Sequence, residues 1–295
     1  MIEQKIPTFR LIGGKFYLAS RIVNFISYTQ HTCYVEPFAG SLKILLLKPP
    51  SPVEIVNDIN GDIVNFFLCI RDYPERLIRK LKYIPYSREL FSSWGKDWQP
   101  CFDFIDKDIE RAARFFFLQD ASFAGGFLAK GYGGSGDWGH SKKGCLAKTF
   151  ASKVDNLYSL AERLRSVQIE HGDYEHILRN YDGEDTLIYG DPPYDFPSGK
   201  EYYHVEFDHE RLAQVLRSLK SKVILSYGPS ELIAQLYKDW HRLEIKISCR
   251  AILVDFDEDE PRPGELHTRP QRTEWLLFNY NPFPLLKNWE TAAVL

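Results

Sequence analysis

Short apolar strands alternate with helices at the start of this chain, and that alternation limits its fold more than any other feature does. A strand at 34–36 leads into Pro37, after which a helical start is predicted from Ser41 to Leu47. A second strand, Val53 to Val56, precedes a helix with apolar residues at helical spacing: Ile63, Phe66, Phe67 and Ile70. Strands that alternate with helices pair in parallel. The sequence therefore predicts an α/β protein.

The middle of the chain interrupts this alternation with helices. From Pro74 to about Phe123 the apolar residues keep helical spacing, and another helix is expected from Ser152 to Leu164. The segment 124–139 is too rich in glycine for a regular helix, and it predicts a hairpin or a flexible loop.

The α/β pattern returns in the last third of the chain. Strands are predicted at 167–170, 186–189, 223–226, 243–247 and 274–278, helices at 210–219 and 232–240, and a mobile loop at 255–271. We expect one sheet domain, built from 1–71 and 165–295, that is split by an inserted subdomain at 72–164.

Composition excludes several classes of protein. The formal net charge of -3 does not resemble that of a wholly basic nucleic-acid binder, although a basic face can coexist with an acidic remainder. The five scattered cysteines and eight histidines show no pairing or metal spacing, so neither a disulfide framework nor a metal site is expected. No apolar run approaches the roughly 20 residues of a membrane span, and 1–14 lacks a signal peptide. A cytoplasmic protein is expected.

The segment Gly-Asp-Pro-Pro-Tyr at 190–194 carries the strongest chemical signal. It follows a predicted strand, which places Asp191 at the carboxyl edge of the sheet, where open α/β folds bind ligands. Consecutive prolines lack N–H donors, so the carbonyls of Asp191 and Pro192 are free to accept from another group. A carboxylate, a rigid row of acceptors and the ring of Tyr194 suit a planar group that bears NH2. The alternative is a turn with a solvated aspartate.

Two further positions lie at predicted strand ends. Gly40 allows a tight turn and a close approach of the backbone to a ligand. Asp58 ends the next strand about 20 residues later, where an acidic side chain can bind ribose hydroxyls. A plain turn, with a helix N-cap at Asp58, is the structural alternative for each position alone. Taken in order with Asp191, the positions favour a ligand site.

Five segments occur in an order that resembles the Dam-type DNA adenine methyltransferase family. They are Gly13-Gly14-Lys15, Glu36-Pro37-Phe38-Ala39-Gly40, Asn57-Asp58-Ile59-Asn60, Gly172-Asp173-Tyr174 and Asp191-Pro192-Pro193-Tyr194. Ser226-Tyr227 and Arg272-Thr273-Glu274 also resemble that family, and the match runs from about Gly13 to Tyr280. The resemblance implies a Rossmann-like sheet that uses S-adenosylmethionine, with the insertion serving as a target-recognition region that touches DNA grooves.

The resemblance also implies a role for each matching residue. The S-adenosylmethionine pocket would be lined by Lys15, Phe38, Gly40, Asp58, Asp173 and Tyr174. Asp58 would hold the ribose hydroxyls, and Asp173 would read the adenine of the cofactor. The target base would be held by Asp191, the Pro192 carbonyl and Tyr194. The implied partner is double-stranded DNA, with the adenine flipped out of the duplex for methylation of its amino nitrogen.

The chain departs from the family at two places. Leu11-Ile12 stands where members often have an aromatic residue, and Leu42 stands where they often have a small one. Two alternatives follow: a methyltransferase that acts on an RNA base, since Asp-Pro-Pro-Tyr segments serve several amino-nitrogen substrates, and a nucleic-acid-binding homologue without catalysis. The histidines near the site, His204 and His209, are predicted to be structural or exposed.

The GxGxxG pattern of Gly131 to Gly136 follows a predicted helix and opens none, so it does not predict a dinucleotide loop. Beside Ser141-Lys142-Lys143 it fits a hairpin that faces DNA phosphates, with a plain surface loop as the alternative.

Overall fold

The computed structural model describes residues 6–11, 18–128, 136–142, 144–195, 207–248, 271–282 and 284. Its strands are β1 (Cys33–Glu36), β2 (Val53–Asp58), β3 (Val167–His171), β4 (Thr186–Gly190), β5 (Lys222–Tyr227), β6 (His241–Ser248) and β7 (Gln271–Phe278). They form a seven-stranded sheet in the order β3-β2-β1-β4-β5-β7-β6. β1 to β5 are parallel, and β7 is antiparallel to both β5 and β6. The predicted α/β class and parallel sheet are confirmed.

The described helices cover both faces of this sheet. They are α1 (Ala19–Tyr28), α2 (Gly61–Asp72), α3 (Pro74–Lys82), α4 (Arg88–Lys96), α5 (Ile109–Ala121), α6 (Leu146–Asp155), α7 (Leu157–Leu164), α8 (Tyr174–Asn180), α9 (His209–Arg217) and α10 (Glu231–Leu236). Because successive strand residues point to opposite faces, Tyr34 joins one apolar cluster while Val35 joins the other. No described helix is long and apolar enough to cross a membrane.

The helices α3 to α7 occupy the insertion between α2 and β3. Their apolar residues belong to the same cluster as those of α2 and of the sheet face that α2 covers. Phe9, for example, packs its ring against Phe66 of α2 and Phe115 of α5, with ring centroids 5.5 and 5.1 Å away. The insertion is therefore packed onto the sheet through a continuous core, and 72–164 as a separate unit stays a prediction.

Two local predictions need correction, and a third concerns residues that the structure mostly does not describe. The segment 41–47 forms turns rather than a regular helix, because Leu42 takes a left-handed φ of 57° and Pro49-Pro50 cannot continue a helix. The helix predicted at 152–164 is two helices, α6 and α7, that meet at Asn156. The loop predicted at 255–271 lies, up to residue 270, outside the described residues.

The ends of the predicted hairpin at 124–139 are paired. Ser122 forms an antiparallel bridge with Trp138, and the Phe123 N–H donates to the Asp137 carbonyl at 2.7 Å. The intervening residues 129–135, with most of the GxGxxG pattern, lie outside the described residues.

A buried ion cluster joins the insertion to the sheet. The Glu54 carboxylate of β2 accepts from Lys48 Nζ at 2.5 Å and from Arg163 of α7 at 2.5 and 2.8 Å. Burial alone would raise the pKa of Glu54, but hydrogen bonds from Arg163 and Lys48 hold that pKa below its ordinary value. The carboxylate is therefore ionised and neutralised by two buried cations.

Replacing Glu54 should destabilise the protein strongly. Glu54→Ala leaves the Lys48 and Arg163 charges buried without a counter-charge, so we expect the free energy of unfolding to fall by about 3 kcal/mol. Urea denaturation at neutral pH measures the change. Glu244→Ala, which removes an exposed carboxylate from β6, is the control. A loss for Glu54→Ala no larger than that of the control would contradict the role assigned to the cluster.

Candidate active site

The loops that follow β1, β2 and β3 are tied together at the carboxyl edge of the sheet. The Ala39 N–H donates to the Asn57 carbonyl at 2.7 Å. The Asn57 side-chain amide donates to the carbonyls of Pro37 and Gly172, both at 3.0 Å. One asparagine therefore fixes three loops that the sequence predicts to form a ligand site.

Asp58 lies at the centre of this junction. Its carboxylate oxygens accept from the backbone N–H groups of Gly40 and Asn60, each at 2.9 Å. Burial raises the pKa of Asp58 to about 6, against the opposing effect of these two N–H donors. Gly40 has a φ of 48°, which favours glycine, so its N–H can turn toward Asp58. Gly40 and Asp58, which were each predicted at a strand end, thus lie at one edge of the sheet and are joined by a hydrogen bond.

Aromatic rings cluster around the residues that follow β1 and β3. The rings of Phe38 and Tyr174 are 5.4 Å apart between centroids, and Phe207 lies 5.7 Å from each. Three buried polar atoms at or just after the ends of β2 and β3 have no hydrogen-bond partner within the described part of the chain: Asn57 Oδ1, Asn60 Nδ2 and the Tyr174 hydroxyl. Buried polar groups are normally paired, so these atoms are available to a bound ligand.

Asp173 is brought to the same edge, but with a partner that the sequence did not suggest. It caps α8 by accepting from the Glu175 N–H at 2.9 Å. Its two oxygens also accept from the Arg211 guanidinium at 2.8 and 3.0 Å. Arg211 bonds to Glu175 as well and lies 5.1 Å from the Tyr174 ring centroid. Arg211 comes from α9, on a distant part of the chain, so no local motif could reveal it.

Asp191 follows β4 directly and is held by the neighbouring strand. The Ser226 hydroxyl of β5 donates to Asp191 Oδ1 at 3.1 Å and lies 3.0 Å from the Tyr189 hydroxyl. Burial raises the pKa of Tyr189 well above its ordinary value, so this phenol stays protonated and can donate to Ser226. A buried chain of hydroxyls therefore fixes one side of the Asp191 carboxylate.

Tyr194, at the other end of the segment, is also anchored. Its hydroxyl donates to Glu274 Oε2 of β7 at 2.6 Å. Its ring lies 5.8 Å from the Tyr227 ring and 5.4 Å from the Arg272 guanidinium. Pro192, between Asp191 and Tyr194, is buried.

The predicted site residues that the structure describes thus fall at one edge of the sheet. Lys15, the remaining predicted site residue, lies outside the described residues, as does His204. His209 packs beside Phe207 and Tyr227, and its Nδ1 lies 3.0 Å from the Tyr227 hydroxyl. Within the described parts of the chain, no group of three or more potential ligands is arranged to hold a metal.

The strand order, the antiparallel β7 and an acidic residue at the end of β2 together define a Rossmann-like methyltransferase. The chain belongs to the D12 class N6 adenine-specific DNA methyltransferase family, whose pattern matches residues 11–249. The predicted family and enzyme class are therefore confirmed: this is a DNA adenine methyltransferase, which needs a methyl donor and a DNA substrate.

Known relatives are of the same kind. The type II methyltransferase M1.LlaDCHI of Lactococcus lactis subsp. cremoris is 28% identical over 260 residues, which is 81% of this chain and 87% of the relative. The type II methyltransferase M.MjaIII of Methanocaldococcus jannaschii is 28% identical over 234 residues, 70% of this chain and 78% of the relative. M.CviBI of Paramecium bursaria Chlorella virus NC1A, another type II methyltransferase, is 22% identical over 251 residues, 83% of this chain and 91% of the relative.

The serine that holds Asp191 should matter for methylation. Ser226→Ala removes the donor to Asp191 Oδ1, so the carboxylate loses its fixed orientation and kcat should fall about tenfold. Tritiated methyl transfer to mixed duplex DNA measures kcat. Ser218→Ala, at the exposed end of α9, is the control. Equal kcat for the two variants would show that Asp191 does not depend on Ser226.

Proposed function

We propose that the chain transfers a methyl group from S-adenosylmethionine to the amino nitrogen of an adenine flipped out of duplex DNA. One observation carries this proposal: Asp58 and Asp191 end strands that flank β1 on either side, at the same edge of the sheet. Strands lie about 4.8 Å apart, so the two strand ends are about 10 Å apart. A cofactor held by Asp58 and a base held by Asp191 can meet at that distance.

The residues at this edge fit S-adenosylmethionine. Asp58 offers a buried carboxylate, Phe38 and Tyr174 offer rings, and the unpaired atoms of Asn57 and Asn60 offer further hydrogen bonds. When bound, the cofactor supplies an electrophilic methyl group on a sulfonium. Gly40 lets the backbone come close to it, and the role of Lys15 rests on the family resemblance.

Within this pocket the two acidic residues take different tasks. Asp58, with one N–H donor on each oxygen, keeps lone pairs available for ribose hydroxyls. Asp173 is proposed to read the adenine of the cofactor, and it must share its carboxylate with Arg211. The Arg211 guanidinium would orient Asp173 as an acceptor.

On the DNA side, the Asp-Pro-Pro-Tyr segment acts on the target adenine. The amino nitrogen is a poor nucleophile because its lone pair is delocalised into the ring. Hydrogen bonds from its NH2 to Asp191 and the Pro192 carbonyl favour a pyramidal nitrogen and stabilise positive charge as it develops. Tyr194 stacks on the flipped base. Asp191 need not be a strong base, because the methylated nitrogen is acidic and can lose its proton to water.

The insertion at 72–164 is proposed to recognise the target sequence. Its hairpin, closed by the pairing of Ser122 with Trp138, carries Lys142 just beyond its base, where a cation can contact phosphate. Because the insertion packs on α2, which begins at the cofactor edge, recognition and catalysis would share one continuous core.

The decisive test is tritiated methyl transfer from S-adenosylmethionine to mixed duplex DNA and to structured RNA, followed by nucleoside digestion. We expect label in N6-methyladenine from DNA, and loss of at least a thousandfold in kcat for Asp191→Ala, because charge stabilisation at the nitrogen is removed. Asp239→Ala, which removes an exposed aspartate after α10, is the matched control.

Each other outcome has a defined meaning. Label in RNA alone would replace the DNA substrate by an RNA base. Cofactor binding without transfer to either nucleic acid would indicate a binding protein. Transfer that survives Asp191→Ala would contradict the assigned catalytic residue.

Cofactor binding should depend on pH through Asp58. Ribose hydroxyls donate to the carboxylate form, and the pKa of Asp58 in the free protein is about 6. Affinity should therefore be full above pH 7 and about tenfold weaker at pH 5, where most Asp58 is protonated. Calorimetric titration with S-adenosylhomocysteine measures this dependence. Asp58→Asn should bind weakly and lose the pH dependence, and an unchanged profile in that variant would contradict the assignment.

A further inference from the structure

Glu274 is a buried carboxylate beside the catalytic segment to which the mechanism above gives no task. Its side chain is 5% exposed, and it lies on β7 in the Arg272-Thr273-Glu274 segment, which resembles the family but was assigned no role. One oxygen accepts from the Tyr194 hydroxyl at 2.6 Å, and the other accepts from Arg272 Nε at 3.0 Å. Burying a carboxylate costs free energy unless the group is paired. The position of Glu274 beside Tyr194 therefore indicates a role in the site.

We infer that Glu274 is a positioning residue that sets the orientation of the Tyr194 ring on which the target adenine stacks. The inference rests on the proposed function, in which Tyr194 receives the flipped base. Glu274 itself does not touch the base and acts through the Tyr194 hydroxyl.

The direction of the hydrogen bond is fixed. Burial raises the pKa of Tyr194 well above its ordinary value, and the neighbouring charges of Asp191 and Glu274 raise it further. Tyr194 therefore stays a phenol and donates to Glu274. Arg272, which is half-exposed, forms an ion pair with the other oxygen of Glu274.

The Tyr194 ring has two further contacts that restrict its orientation. A Cβ placed on Gly228 would lie 3.0 Å from Tyr194 Cδ2, so the glycine backbone touches the ring edge directly. The Tyr227 ring packs at 5.8 Å, with a 37° angle between the ring planes. With its hydroxyl tethered and its edge against Gly228, the ring has one orientation.

The two ends of the catalytic segment are thus anchored to neighbouring strands. Ser226 of β5 holds Asp191, and Glu274 of β7 holds Tyr194. In the sheet Ser226 pairs with Leu276 and Tyr227 pairs with Trp275, which places Glu274 one step beyond, level with Gly228. The distance between carboxylate and stacking ring is therefore set by the β5–β7 pairing.

Three variants test this inference: Glu274→Gln, Tyr194→Phe and the double variant. Tyr194 and Arg272 donate to different oxygens of Glu274, so glutamine, with one acceptor oxygen, cannot keep both bonds in this geometry. Phenylalanine keeps the ring and removes the tether. Each single variant should lower kcat roughly tenfold, with cofactor affinity unchanged. The double variant should also fall roughly tenfold, because both changes remove the same hydrogen bond. Glu244→Gln, on the adjacent strand β6, is the matched control and should not change kcat.

Methyl transfer to mixed duplex DNA gives kcat, calorimetry with S-adenosylhomocysteine gives cofactor affinity, and thermal unfolding reports stability. A double variant that falls roughly a hundredfold, the product of two independent losses, would overturn the inference. So would a Glu274→Gln variant that only lowers the thermal midpoint, since that result would make Glu274 a structural ion-pair partner of Arg272. A wild-type protein that transfers no methyl to DNA would overturn the proposed function, and this inference with it.

Discussion

Two adjacent residues at the end of β2, Asn57 and Asp58, hold together the loops on which the cofactor side of the site depends. Asn57 bonds to backbone groups of the loops after β1 and β3, and Asp58 accepts from the backbone of Gly40 and Asn60. These bonds are buried, where an unmade partner is costly, so the loops cannot separate without a large loss of free energy. This arrangement leaves the Asp58 carboxylate buried, which raises its pKa. A ligand that donates a hydrogen bond to this carboxylate therefore stabilises its ionised form.

The Asp191-to-Tyr194 segment is held in place in a different way. Pro192 and Pro193 make the segment after β4 rigid, and hydrogen bonds from Ser226 and to Glu274 fix its two ends. The insertion reaches the same edge, since the Gly61 N–H donates to the Cys101 carbonyl at 2.8 Å at the start of α2. The loops after β1 to β3, the segment after β4 and the insertion therefore meet at one edge of the sheet. Because close-packed interiors transmit strain, a displacement of one of these parts is expected to shift the others.

Much of this could be predicted from the sequence, because strand and helix periodicity and strand-end glycine and acidic residues are local signals. Every predicted strand is present, and Gly40, Asp58 and Asp191 lie at strand ends as expected. The turn at 41–47 was not predicted, because glycine signals a left-handed φ in a sequence and a leucine such as Leu42 does not. Arg211 could not be assigned, because it reaches the site only through the packing of α9 on α8. Glu274 lies in a segment that resembles the family, but its bond to Tyr194 could not be predicted, because it depends on the pairing of β7 with β5.

The proposed function requires Asp58 and Asp191 to face a single ligand path across β1. A crystal structure of the protein with S-adenosylhomocysteine tests it most directly. We expect the ribose hydroxyls within hydrogen-bond distance of the Asp58 carboxylate and the sulfur atom directed toward the Asp191-to-Tyr194 segment. A ligand bound elsewhere, or one whose sulfur points away from Asp191, would contradict the claim.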